Sequence, residues 1–179
     1  MQIRRLSASG DPSIRDRQNV RGDTMNMGGE QVIPADIETV WRGLNDDAVL
    51  RAAIPGCESL TRTSSAGFTA AVAVKIGPVK AKFSGNVELS ELDPPNGYRL
   101  SGKGNGGIAG FAQGGATVRL TPIAEGTVLS YTVDAQVGGK LAQLGARLIT
   151  ATARKLAAEF FQNFAEHLML SAAASSVGR

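Results

Sequence analysis

The stretch VKAKFSGNVEL, Val79 to Leu89, constrains this chain more than any other. Val79, Ala81, Phe83, Gly85, Val87 and Leu89 alternate without a fault with Lys80, Lys82, Ser84, Asn86 and Glu88. Successive side chains of a strand point to opposite faces, so this is a β-strand with one dry and one wet face. Such strands belong to antiparallel sheets that meet water on one side. FTAAVAVKI precedes it across Gly77-Pro78, a turn dipeptide, so the two form a hairpin. GYRLSGK follows the Pro94-Pro95-Asn96-Gly97 turn, then comes ATVRLTPI, and TVLSYTVDAQV follows Glu125-Gly126. Turns at this spacing predict an antiparallel meander.

The flanks have another period. EQVI, Glu30 to Ile33, reads as a short strand ended by Pro34. ADIETVWRGLND then reads as a helix, with Asp36 and Glu38 in its first turn and Ile37, Val40, Trp41 and Leu44 at helical spacing. DDAVLRAAI is a second short helix, capped by Asp46 or Asp47 and stopped before Pro55-Gly56. From Lys140 to about Leu170 the period is helical again, and SAAASSVGR frays. Ile149, Ala153, Leu156, Phe160 and Phe164 fall on one stripe of that last helix, its core face. Leu141, Leu144 and Leu148 lie roughly 100° around from it. Either a kink at Gly145 or packing of the helix start against the glycine segment places them, or they form a lid or an exposed patch.

That glycine segment, GKGNGGIAGFAQGG, spans residues 102 to 115 and has seven glycines in fourteen positions. A phosphate loop joins a strand to a helix, whose N-terminus receives the anion. Here the glycines join strand to strand and no G-K-[ST] occurs, so the segment reads as a bent, bulged hairpin. Ile108 and Phe111 are its only large apolar side chains, placed either to cap a core or to gate a cavity.

At 179 residues the length suits one domain. Residues 1–26 read as a disordered extension, 27–170 as the domain and 171–179 as a flexible tail. Arg4, Arg5, Arg15, Arg17 and Arg21 stand in the first 24 positions with three acids, and the remainder holds 14 bases and 13 acids. That balance does not predict a nucleic-acid partner. Arg4-Arg5 lacks the apolar stretch of an export signal behind it, so the extension reads as lying upstream of a functional start at Met25 or Met27. No run reaches the ~20 apolar residues of a membrane span. One cysteine, Cys57, excludes an internal disulfide and fits a reducing cytoplasm.

The motifs IPGCESL (Ile54–Leu60), KIGPVKAKFSGNVEL (Lys75–Leu89), GKGNGGIAGFAQGGATVRL (Gly102–Leu120) and GGKLAQLGARLI (Gly138–Ile149) closely resemble the CoxG family of carbon monoxide dehydrogenase. The resemblance runs from Met27 to about Met169. It implies an α+β, START-like helix-grip fold, in which a curved antiparallel sheet wraps a long C-terminal helix and two short helices follow strand 1. It further implies an accessory protein beside a molybdenum- and flavin-containing dehydrogenase. Such a protein holds a quinone or lipid-like ligand in a central cavity and brings the enzyme to the inner face of the membrane. The expected location is therefore cytoplasmic, peripheral to the inner membrane. Some members carry a long tail ending in a membrane-binding helix, whereas this chain stops within ten residues of its last helix.

The residues themselves offer little catalysis. His167 is the only histidine, so neither a zinc site nor a positioned general base is expected. It reads as lying in the last turn of the long helix. Cys57, after a Pro-Gly turn, reads as a small packing residue. Tyr131 and Asp134 are the natural acid or base for the alternative, a START-superfamily cyclase or hydrolase acting on an apolar molecule, but alternation puts them on opposite faces. No cofactor or metal is expected beyond a bound quinone or lipid. Small residues among large ones on the inward faces (Ala70, Ala81, Gly85, Ala135) leave room that either the last helix or a ligand fills. The expected ligand-binding set is Phe68, Val72, Val74, Phe83, Val87, Leu100, Ile108, Phe111, Val118, Tyr131, Val133, Leu144 and Leu148. Ile108, Phe111, Leu144 and Leu148 form its gate.

Overall fold

The alternation from Val79 is realised as β4 (Val79–Asp93), the longest strand in a computed structural model that describes residues 23–177. It pairs with β3 (Gly67–Ile76) and β5 (Gly97–Asn105), and β6 (Phe111–Ile123) and β7 (Gly126–Gly138) continue the meander. With β1 (Asp23–Ile33) and β2 (Cys57–Ser64) at its edges, the antiparallel sheet has the order β1-β7-β6-β5-β4-β3-β2. The two short helices α1 (Ile37–Leu44) and α2 (Asp47–Ala53) lie between β1 and β2, and α3 (Ala146–Val177) ends the described chain. The apolar side chains of the sheet and the stripe of α3 enclose the core between them. This is the α+β helix-grip arrangement expected from the sequence.

Both short helices start as their sequences dictate. Asp46, not Asp47, caps α2 by accepting from the Ala48 and Val49 amides. Asp36 caps α1, accepting from the Thr39 amide at 3.0 Å and the Thr39 hydroxyl at 2.7 Å. Those bonds hold the Asp36 carboxyl below the ordinary carboxylate value, the hydroxyl contributing most. A carboxylate whose value is lowered by folding stabilises above its unfolded value and loses that contribution as pH falls through the folded one. Asp36→Ala is therefore expected to cost about 1 kcal/mol at neutral pH. The gap to the unaltered chain should narrow below pH ~4. Urea unfolding at both pH values measures this, and a pH-independent gap would contradict it.

The structure moves several boundaries. β1 runs from Asp23 and not from Glu30, and Met25 within it is buried. The domain thus begins before residue 27, while residues 1–22 lie outside the described ones. α3 continues to Val177, so the segment from 171 read as tail is helical there, and His167 stands ten residues before the helix end. β2 has no strong pattern because only Leu60 on it is buried. The glycine segment joins β5 to β6 through a 3₁₀ turn, Gly107–Ala109, in the predicted strand-to-strand context. Within it Gly110 has φ +115°, and a Cβ there would collide with the Gly138 carbonyl, so only glycine fits. Gly145, at φ +89°, separates a 3₁₀ segment (Gly139–Leu144) from α3, which gives the leucines of the motif a direction different from the α3 stripe.

Candidate functional site

The core is not continuous. One buried cluster gathers Ile33, Val40, Leu44, Val49, Tyr98, Leu129, Phe164 and Leu168 around α1 and α2. A second gathers Met25, Val137, Leu141 and Ile149 at the opposite end, with Phe83, Leu144 and Ala153 packed on it. Between them the inward face of the sheet is poor in side chains. Ala70, Gly85, Gly104 and Ala112 stand side by side across β3 to β6, and Val87, Gly102, Gly114 and Ala135 form the next row across β4 to β7. Val72, Val74 and Val87 face α3 from this zone yet belong to neither cluster, and all three are half-buried. On a filled core face such valines would be sealed, because interiors pack at crystal density. The α3 side chain opposite, Leu156, is half-buried too. The inward face is therefore less tightly sealed here than at either cluster.

Six of the expected residues, Val72, Val74, Phe83, Val87, Tyr131 and Val133, stand half-buried on inward positions of this face. Leu100 joins them at the edge of the first cluster. Phe68 and Val118 share the inward face but are buried. Phe68 lies beneath the Arg62 guanidinium, 4.4 Å from its ring centre, and Arg62 is itself fixed by Asp47 and the Asn45 carbonyl. The four gate residues do not converge. Leu144 packs on the second cluster, and Leu148 rests on Gly77 in the β3–β4 turn. Phe111 is one residue out of phase with the inward Ala112 and lies over Gly138 on the outer face. Ile108 is 92% exposed at the tip of the glycine segment.

Tyr131 is the polar residue of this face, packed on the border of the first cluster. Its ring leans on Phe161 of α3, centroids 5.2 Å apart, and its hydroxyl lies where a side chain on Gly29 of β1 would stand. That hydroxyl has no hydrogen-bond partner among the described residues. The other inward tyrosine, Tyr98, packs edge-on to Trp41 inside the first cluster, where burial pushes its phenol value up. Asp134 faces outward and meets Arg99 at 3.3 Å, on the opposite face from Tyr131 as alternation requires. Met27, opposite Val133, and Phe161 also border this zone. The sequence did not reveal them: Gly28-Gly29 breaks the alternation of β1, and Phe161 stands beside the helix stripe. No group of three or more potential metal ligands exists among the described residues.

The outer face of the sheet carries two hollows, of about 730 and 590 Å³. Short polar side chains such as Ser84, Asn86, Ser101 and Gln113 line them, with Lys103 between. They lie open on the sheet surface, without the apolar enclosure that small-molecule sites normally have, so the inward face is the better candidate.

The sequence pattern of CoxG, the G subunit of carbon monoxide dehydrogenase, matches residues 29–169. This chain belongs to the CoxG family. Among solved structures, a conserved protein from Geobacillus kaustophilus is 33% identical to this CoxG chain, with a TM-score of 0.78 over 82% of it and 97% of the other. The Zhui aromatase/cyclase from Streptomyces sp. R1128 shares the fold at 12% identity and a TM-score of 0.60, covering 82% of this chain and 94% of its own. Ara h 8.0201 does so at 11% identity and 0.57, covering 82% and 99%. No curated protein sequence matches. No described helix of this CoxG chain is long and apolar enough to cross a membrane.

Proposed function

We propose that this CoxG family member is a non-catalytic accessory protein that carries a quinone or similar lipid-like molecule in a gap under α3. It serves a molybdenum-containing, carbon monoxide dehydrogenase-like enzyme and links that enzyme to the electron-transfer chain of the membrane. The observation that carries this reading is an unpartnered tyrosine hydroxyl on an apolar, incompletely filled face. A flat ring lodged beside Tyr131 would gain most of its affinity from apolar burial, about 25 cal/mol for each Å² removed from water. The Tyr131 hydroxyl then donates to a ligand carbonyl and sets its orientation, while the phenol ring supplies stacking. Family membership supports the accessory role beside the dehydrogenase.

An enzyme acting on an apolar substrate, the alternative that the aromatase/cyclase neighbour brings to mind, needs an acid or base within reach of the reacting atoms. Asp134 is turned to the other face and held by Arg99, so it cannot work with Tyr131 in one pocket. Calorimetric titration of the full chain with a short-chain quinone tests the carrier reading. Saturable binding is expected, and Tyr131→Phe should weaken it about fivefold, the worth of one net hydrogen bond. The thermal midpoint of that variant should not change. An unaltered chain that shows no saturable binding rejects the reading.

A further inference from the structure

The two edges of the sheet are finished differently. An open strand edge offers a row of unpaired amides and carbonyls to any other strand, and proteins blunt it with bulges, charges, prolines or a covering element. β2 is blunted in this way. Its pairing with β3 is broken by two register shifts, and α2 lies against it. The Arg51 guanidinium of α2 donates to the Leu60 carbonyl of β2 at 2.7 Å, and Asp47 of α2 holds Arg62. β1 has none of these devices. Its pairing with β7 runs unbroken from Asp23 to Ile33, and its eleven residues include no lysine, arginine or proline. Among the described residues its main chain bonds only to β7 and, at Ile33, to Ala35. Val32, on the outward face of this strand, is 59% exposed.

We propose that β1 pairs with β1 of a second copy, antiparallel about a two-fold axis at Gly28, so that one sheet runs through both chains. The strand itself points to this occupant. Directly opposed residues of an antiparallel pair share a face, so self-pairing keeps Met25 and Met27 inward in both copies only when the axis falls on a residue. Gly28 is the midpoint of Asp23–Ile33, and an axis there pairs all eleven residues. Asn26 then stands opposite Glu30, an amide donor facing a carboxylate. Thr24 stands opposite Val32 and covers it, two β-branched residues of the kind that suits a strand surface. The acids of the strand, Asp23 and Glu30, meet the neutral Ile33 and Asn26, so no like charges oppose each other. A two-fold contact of this kind closes on itself and leaves no β1 edge free for further growth. The proposal is independent of what the inward face carries.

Sedimentation equilibrium of the full chain over a concentration series tests it. A reversible monomer–dimer equilibrium is expected. Thr24→Glu with Val32→Glu sets glutamates against each other in both symmetric pairs, whereas Thr24→Lys with Val32→Glu sets lysine against glutamate. Within one chain both positions are exposed and face neutral residues, Gln136 and Val128, so both variants should fold. The dimer dissociation constant should rise in the first and fall in the second, with a difference of about tenfold between them. Far-UV circular dichroism checks the folding of each. If the glutamate variant is unfolded, the lysine–glutamate variant decides alone, by tightening the dimer or failing to. An unaltered chain that stays monomeric throughout the series overturns the proposal. So does a dimer that responds equally to the two variants, since another surface then holds it. A monomer whose β1 takes up only an extended peptide from a different protein overturns it too, by giving the edge another occupant.

Discussion

Phe164→Ala is expected to remove about 3–5 kcal/mol of stability, a large share of the ~5–15 kcal/mol typical of a folded domain. Phe164 is fully buried at the centre of the first cluster. Its ring stacks on Phe160 with centroids 5.8 Å apart, and it packs so closely on α1 that a Cβ on Gly43 would stand 3.1 Å from it. Both helix and sheet are fixed around it, so the vacated volume cannot collapse and the full cavity cost is felt. Leu156→Ala, two turns earlier on the same stripe, is expected to cost less, about 2 kcal/mol, because Leu156 is only partly buried. Urea unfolding of both variants measures the contrast. Equal losses would mean that α3 seats evenly along its length and that no gap lies under its middle.

Gly104→Leu should abolish ligand binding, a loss of more than tenfold, while leaving stability unchanged or higher. A Cβ on Gly104 would meet Phe83 at 3.7 Å and the Ala112 carbonyl at 4.0 Å, ordinary contacts, so the leucine can point into the gap. There it takes the ligand's place and buries apolar surface of its own. Were the space already filled, the extra side chain would overpack a core and cost about 1–3 kcal/mol. Thermal unfolding and quinone titration on the same purified variant distinguish the two. A destabilised Gly104→Leu chain contradicts the gap, whatever it does to binding.

How much of this was legible in the sequence differs by element. β4 declared itself because its alternation is unbroken, and Asp36 and Asp46 marked the helix starts through their need to satisfy free amides. The N-terminal half of β1 stayed hidden, since Gly28-Gly29 interrupts the pattern that would have shown Met25 and Met27 turning inward. The end of α3 was misplaced because SAAASS has no apolar face, although alanine needs none to stay helical. In the site, alternation placed Val72, Val74, Phe83, Val87, Tyr131 and Val133 on the inward face, where the structure has them. It failed at Phe111, where the phase of β6 is set by Ala112, Gly114 and Ala116, residues too small to signal it. Ile108 and Leu148 depend on how three loops meet at one end, which no local pattern encodes. The break at Gly145 explains why Leu141, off the helix stripe, is nonetheless buried.

Organic extraction of the full chain, purified without detergent from the cells that make it, followed by mass spectrometry of the extract, tests the central claim most directly. A quinone or comparable lipid is expected at near one molecule per chain, reduced in Tyr131→Phe and absent from Gly104→Leu. An extract free of apolar small molecules, or one equally rich from Gly104→Leu, would contradict it.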